Sequence, residues 1–137
     1  CFYHKPNDWN GKNFAPYQIT LTSERVTEED ATVSILKPEH MLFNQPNRIS
    51  DTDWSGWIQE RSIYLPSDDT TKTSSRYERL LSMGDTGEQQ PSTSLLFSRY
   101  GKGTYTYCSL ALYRQLRTLN DGAMKLFFNL LSLQKEK

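Results

Sequence analysis

The chain has 137 residues, enough for one domain that buries roughly two-thirds of the surface its unfolded form exposes. Its 16 basic and 16 acidic side chains cancel, which excludes the broad positive field that draws nucleic acid or an anionic membrane. No apolar run approaches the roughly 20 residues of a bilayer-crossing helix, and CFYHKPNDWN has neither the basic start nor the apolar core of a signal peptide.

In chain order, Cys1 to Tyr3 reads as the tail of a strand, and Lys5 to Pro16 as a loop rich in Pro, Asn and Gly. Trp9 inside that loop is either a lid over the core or an exposed aromatic, and the lid is favoured. Tyr17 to Thr22 alternates, with Tyr17, Ile19 and Leu21 on one face, and predicts a strand. Ser23 to Asp30 is a charged turn region. Ala31 to Leu36 alternates again with Val33 and Ile35 inward, and Lys37-Pro38 stops it because proline cannot donate to a ladder. Pro38 to Phe43 predicts one helical turn that carries Met41, Leu42 and Phe43 into the core. Ser50 to Asp53 has the S-x-x-D form of a helix start, leading to Trp54.

Trp57 to Leu65 predicts the next strand, but its pattern breaks, because Gln59, Glu60 and Arg61 sit together in the middle. Ser67 to Ser75 is a polar loop expected to be mobile. Tyr77 to Met83 predicts a short strand, and Gly84 to Thr93 a loop.

The densest apolar content lies in Ser94 to Leu133. Leu95 to Tyr100 and Thr104 to Leu110 are β-rich arms around Gly101-Lys102-Gly103, whose glycines offer the positive φ of a hairpin reversal. After a connector comes a helix that Asn120 or Asp121 caps. Ala123, Phe127, Leu130 and Leu131 form its apolar stripe, widened by Met124, Phe128 and Leu133, with Lys125, Asn129 and Ser132 polar. These elements give the expected fold class: α+β, one mainly antiparallel sheet of about six strands with the C-terminal helix packed on it, in one domain spanning 1–137.

Three groups bear on chemistry. Metal ligation lacks a pattern, since His4 and His40 are far apart and Asp68-Asp69 has no histidine ahead of it, so no metal or other cofactor is expected. Cys108 lies mid-strand without flanking glycines and reads as a small buried thiol, while Cys1 carries no context; two cysteines make no disulfide framework. No catalytic residue is assigned. The third group, Gln59, Glu60 and Arg61 with Trp54 and Trp57, is the candidate binding site. Rings beside a carboxylate, an amide and a guanidinium suit a sugar. The competing reading is structural, a Glu–Arg pair that orders the Ser67 to Ser75 loop or faces a neighbouring domain, and it is the favoured one.

The hairpin with YGKG at its turn, the aromatic second strand and the helix ending NLLSL resemble the end of class I glutamine-amidotransferase-like domains. With LTSERVT at Leu21 to Thr27, ILKPEHMLFNQP at Ile35 to Pro46, WIQERSIY at Trp57 to Tyr64 and YRQL at Tyr113 to Leu116, the chain is similar to the region after the catalytic domain in bacterial PIG-L-type (LmbE-like) deacetylases. The resemblance implies the distal part of an amidotransferase-like α/β domain, shorn of its first strands and helices. It implies a non-catalytic accessory or interaction domain beside an enzyme acting on N-acetylated sugars, with an extracytoplasmic or periplasmic setting. A carbohydrate-binding module and an amidotransferase-like hydrolase are the alternatives. Neither the HPDDE-like zinc motif of those deacetylases nor the amidotransferase Cys–His–Glu triad is matched, since Glu39 precedes His40 where the triad needs His-x-Glu. Expected partners are a second copy or a catalytic domain, with a glycan as the possible ligand.

Overall fold

A computed structural model describes residues 5–133. The expected tail of a strand at Cys1 to Tyr3, and His4, lie outside the described residues. In chain order the elements are α1 (Pro6–Trp9), β1 (Arg25–Val26), β2 (Val33–Ile35), β3 (Ser62–Ile63), β4 (Glu78–Arg79), β5 (Leu81–Met83), β6 (Leu95–Tyr100), β7 (Gly103–Cys108), α2 (Leu112–Arg117) and α3 (Asp121–Leu131). Two 3-10 turns, Met41–Phe43 and Asp51–Trp54, lie between β2 and β3.

The class is α+β with antiparallel pairing and a C-terminal helix, but the single sheet of about six strands is replaced by three small ones: β1-β3, β2-β5 and β4-β6-β7. Local backbone chemistry breaks the larger sheet. The strand expected at Trp57 to Leu65 is reduced to β3, because Gln59 at φ 67° and Tyr64 at φ 53° take left-handed conformations that cannot continue a ladder. The strand expected at Tyr77 to Met83 is split at Leu80. There the Leu80 N–H donates to the Leu95 carbonyl at 3.1 Å and its carbonyl accepts from Leu36 N–H at 2.9 Å, so β4 joins β6 while β5 joins β2.

Tyr17 to Thr22 alternates as read, with Ile19 and Leu21 buried, yet it forms only the isolated bridge Leu21 to Pro66. Side chains stand in for its partner strand. Asn10 Oδ1 accepts from Leu21 N–H at 2.8 Å, Asn10 Nδ2 donates to the Leu21 carbonyl at 3.0 Å, and Trp9 Nε1 donates to the Ile19 carbonyl at 2.9 Å. Trp9 is buried among Ile19, Leu21, Tyr77, Leu96 and Tyr107, as a lid would be. The Ser67 to Ser75 loop is tied down where mobility was expected: Thr73 is fully buried, Thr20 Oγ1 donates to the Lys72 carbonyl at 2.8 Å, and Ser74 N–H donates to the Gln18 carbonyl at 2.8 Å.

The β6–β7 hairpin is the centre of the molecule, with pairs from Leu95–Cys108 to Tyr100–Gly103. Its two faces serve two cores. Leu95 and Phe97 enter the main cluster with Leu42, Leu65, Leu80, Leu112 and Leu126, while Leu96 and Tyr107 enter the Trp9 cluster. A strand buried on both faces reads as a continuous apolar run, which is why LLFS at 95–98 shows no alternation. Of the two turn glycines only Gly101 takes positive φ, at 57°; Gly103 begins β7.

The stretch read as a connector holds α2. Helix α3 is capped by Asn120, whose Oδ1 accepts from Ala123 N–H at 3.0 Å. Its buried face is Gly122, Ala123, Leu126 and Asn129, rotated from the expected stripe; Phe128 and Leu131 are 49% and 67% exposed. Helix α3 packs mainly on α2 and the two 3-10 turns, not flat on a sheet. That contact demands Gly122, since a Cβ there would overlap the Asp53 carbonyl.

Candidate functional site

The candidate residues do not form one cluster. The Asp51–Trp54 turn begins as a capping box, in which Asp53 Oδ2 accepts from the Ser50 backbone N–H at 2.8 Å. Burial works to raise the Asp53 carboxyl, but Ser50 and Lys125 Nζ at 2.9 Å from Oδ1 outweigh it, and the net shift is downward. This turn delivers Trp54 and, through Gly56 at φ 72°, Trp57 to the same place. The two rings lie 5.4 Å apart between centroids, and Trp57 Nε1 donates to the Asp53 carbonyl at 3.2 Å.

The chain then reverses sharply. Glu60 N–H donates to the Ile58 carbonyl at 2.9 Å across Gln59, an i-to-i+2 closure with positive φ that few non-glycine residues adopt. Two groups hold it. Glu29 Oε1 accepts from Gln59 N–H at 2.5 Å, and the Gln115 amide takes both backbone groups of Ile58, at 2.8 Å from N–H and 2.9 Å to the carbonyl. Gln59 itself is exposed.

Beyond the reversal, Glu60 and Arg61 point to different neighbours. Glu60 is buried between Arg114 Nη1 at 2.5 Å and Arg25 Nη1 at 3.6 Å, and pairs with neither Arg61 nor the Ser67 to Ser75 loop. Arg61 turns to the tryptophans. Its Nη1 donates to the Trp54 carbonyl at 2.8 Å and its guanidinium carbon lies 5.9 Å from the Trp57 ring. Burial pushes its pKa down, and the Asp30 carboxylate opposes the shift.

The structure therefore joins Trp54, Trp57 and Arg61, and sends Glu60 and Gln59 elsewhere. These three line a cleft of about 710 Å³ with Ala31, Val33 and the carboxylates Glu29, Asp30 and Asp51. The sequence reading missed those carboxylates. Glu28-Glu29-Asp30 was legible only as a charged turn, with nothing local to tie it to Trp54. Within this group Trp54 Nε1 and Arg61 Nε are buried without a hydrogen-bond partner.

A second concavity, of about 510 Å³, runs along β7 and is lined by Trp9, Tyr105, Tyr107, Leu110, Leu130 and Leu133 among others. Cys108 borders it, half-buried. Burial pushes its thiol up to about 12, which favours the protonated form at neutral pH. Ser109 N–H donates to the Ser94 carbonyl at 2.9 Å, which fixes the ladder's phase: Thr104, Thr106 and Cys108 turn their backbone groups to the outer edge. Past the strand that edge is covered, since Ala111 N–H donates to the Arg61 carbonyl at 2.9 Å. From Thr104 to Cys108 it pairs with no other strand among the described residues.

Among the described residues no three or more of His, Cys, Asp and Glu are grouped to hold a metal ion, and no helix is long and apolar enough to cross a membrane. Compared with known families, curated proteins and solved structures, the chain matches none.

Proposed function

We propose that this chain is a non-catalytic interaction module, the accessory domain of a PIG-L-type N-acetyl-sugar deacetylase, and that it docks the catalytic domain along the outer edge of β7. One observation supports this reading above the others: a neutral edge strand, GTYTYC, beside an apolar groove of about 510 Å³. Edge strands that face water are usually guarded by lysine, proline or a bulge, and β7 has none of these. An added strand would take the outward N–H and C=O groups of Thr104, Thr106 and Cys108, while Tyr105 and Tyr107 flank its side chains.

The test is co-purification with a PIG-L-type deacetylase, together with light scattering of the chain alone at tens of micromolar. Thr104→Pro deletes one outward N–H and leaves the β6 ladder intact, because that ladder uses the odd-numbered residues of β7. Docking is expected for the native chain and lost in Thr104→Pro, with melting temperature unchanged. A chain that stays monomeric and captures no deacetylase, or a variant that docks as well as the native chain, overturns the reading. Self-association that Thr104→Pro abolishes would assign the edge to a second copy.

A further inference from the structure

His40 closes the Met41–Phe43 turn with its side chain. Its Nδ1 accepts from the Leu42 backbone N–H at 3.2 Å, the place where serine or asparagine commonly caps a helical turn. With an acceptor at Nδ1, the proton of the neutral ring sits on Nε2, which lies 3.3 Å from Glu78 Oε2. The imidazole is thus engaged at both nitrogens, as acceptor on one side and donor on the other.

Its surroundings favour that neutral form. The side chain is 10% exposed, and the ring meets Phe97 and Phe43 near edge-on, with centroids 4.6 and 6.5 Å apart. Burial is the largest influence on the imidazole and pushes its pKa down. Among the described residues three charged groups act on it. Glu78 of β4 opposes burial, while Lys37, just after β2, and Arg99 of β6 reinforce it. Lys37 also shares the Glu78 carboxylate, with Nζ 3.0 Å from Oε1. The net shift is downward.

The turn that His40 closes is part of the core. Leu42 and Phe43 are fully buried, and the Leu42 carbonyl accepts from Asn129 Nδ2 of α3 at 2.9 Å. A second proton on the ring has only Nδ1 to occupy, where it faces the Leu42 N–H. Two donors then meet with no acceptor between them, and the cap must open.

We propose that His40 is an acid-release catch, in which protonation of Nδ1 frees the Leu42 N–H and loosens the seat of α3 on the Met41–Phe43 turn. It goes beyond the docking reading and does not depend on the β7 edge. The neutral ring is the form the fold prefers. Its contribution is therefore fully present above the unfolded pKa of 6.5 and is lost as pH falls through the lower, folded one.

The experiment is a titration of the ¹⁵N-labelled full chain from about pH 7.5 to about pH 4.5, following the His40 ring nitrogens and backbone amide exchange corrected for intrinsic rates. The lower limit keeps Asp53 charged and paired with Lys125 of α3, since that carboxyl is held below its ordinary value. At neutral pH the ring should be the Nε2–H tautomer. As it protonates, Leu42 and the amides of α3 should lose about fivefold in protection, the weight of one ordinary hydrogen bond, while the β6–β7 hairpin keeps its own. His40→Asn supplies an acceptor that does not titrate, and should hold Leu42 and α3 protected down to the lower limit. His4 is present in both chains, so the difference between them belongs to His40. An Nδ1–H tautomer at neutral pH, or protection in the native chain that does not change as His40 titrates, overturns the proposal without reference to the variant. So does an equal loss in His40→Asn.

Discussion

Two of the regions in which this chain buries polar side chains do it in opposite ways. Gln115 and Asn129, both fully buried, use their amides completely. Asn129 Nδ2 donates to the Leu42 and Asn47 carbonyls at 2.9 and 2.7 Å, and its Oδ1 accepts from Asn47 N–H at 2.9 Å. Gln115 holds Ile58 by both backbone groups. Around Trp54 and Arg61 the accounting is incomplete, with two N–H groups unused. A saturated amide between a helix and an irregular loop is a fastening. An unsaturated pair of buried donors is a local cost to stability.

The largest way to break this contrast is Asn129→Ala. It strands one N–H and two carbonyls, and should cost about 3–5 kcal/mol in urea unfolding. A loss under about 1 kcal/mol would mean that solvent replaces the amide and that the fastening is illusory. Next comes the packing beside it. Leu126→Ala on the buried face of α3 should cost about 2–4 kcal/mol, while Phe127→Ala, only half-buried, should cost about 1. Equal losses would restore the phase expected from hydrophobicity alone.

A smaller effect is expected in acid. The folded Asp53 carboxyl is held below its ordinary value, so its contribution is fully present above the unfolded pKa and is lost as pH falls through the folded one. Stability should therefore decline below about pH 4, and Asp53→Asn should flatten that decline while lowering stability at neutral pH. An acid limb identical in Asp53→Asn would place the titrating group elsewhere. The smallest effect is expected at Trp54, which is 5% exposed in the main core: in Trp54→Phe the void left by the smaller ring and the deletion of an unpaired donor act in opposite directions, and the net loss should stay below about 2 kcal/mol. A loss above about 3 kcal/mol in urea unfolding would show that the indole N–H is satisfied after all.

What the sequence carried plainly was local. The strand Leu95 to Tyr100, the S-x-x-D helix start at Ser50, which opens a 3-10 turn, and the helix cap read as Asn120 or Asp121, which is Asn120, each depend on a few adjacent residues. What escaped needed distant backbone. Asn129 counts as polar and so as solvent-facing, yet carbonyls 82 and 87 positions away in sequence draw it inward and rotate the whole of α3. Tyr17 to Thr22 has the alternation of a strand, and nothing in it says that Asn10 and Trp9 will occupy its ladder groups. Gln59 carries no glycine to announce its left-handed turn. Trp54, Trp57 and Arg61 were legible as a group because they are near neighbours in sequence, and the carboxylates of the rim were not, because the fold alone brings Glu29 and Asp30 to them.

The two amide fastenings also set the order in which the chain can mature. The loops around Asn47 and Ile58 are finished by side chains on α3 and α2, which are synthesised after them. Until those helices emerge, the early loops have no acceptor or donor to replace water, and their apolar neighbours Leu42 and Trp57 stay open. A form of the chain that ends before Leu112 should therefore be digested by protease around Asn47 and Ile58. Protection should arrive in one late step, when α2 and α3 close over what was synthesised first.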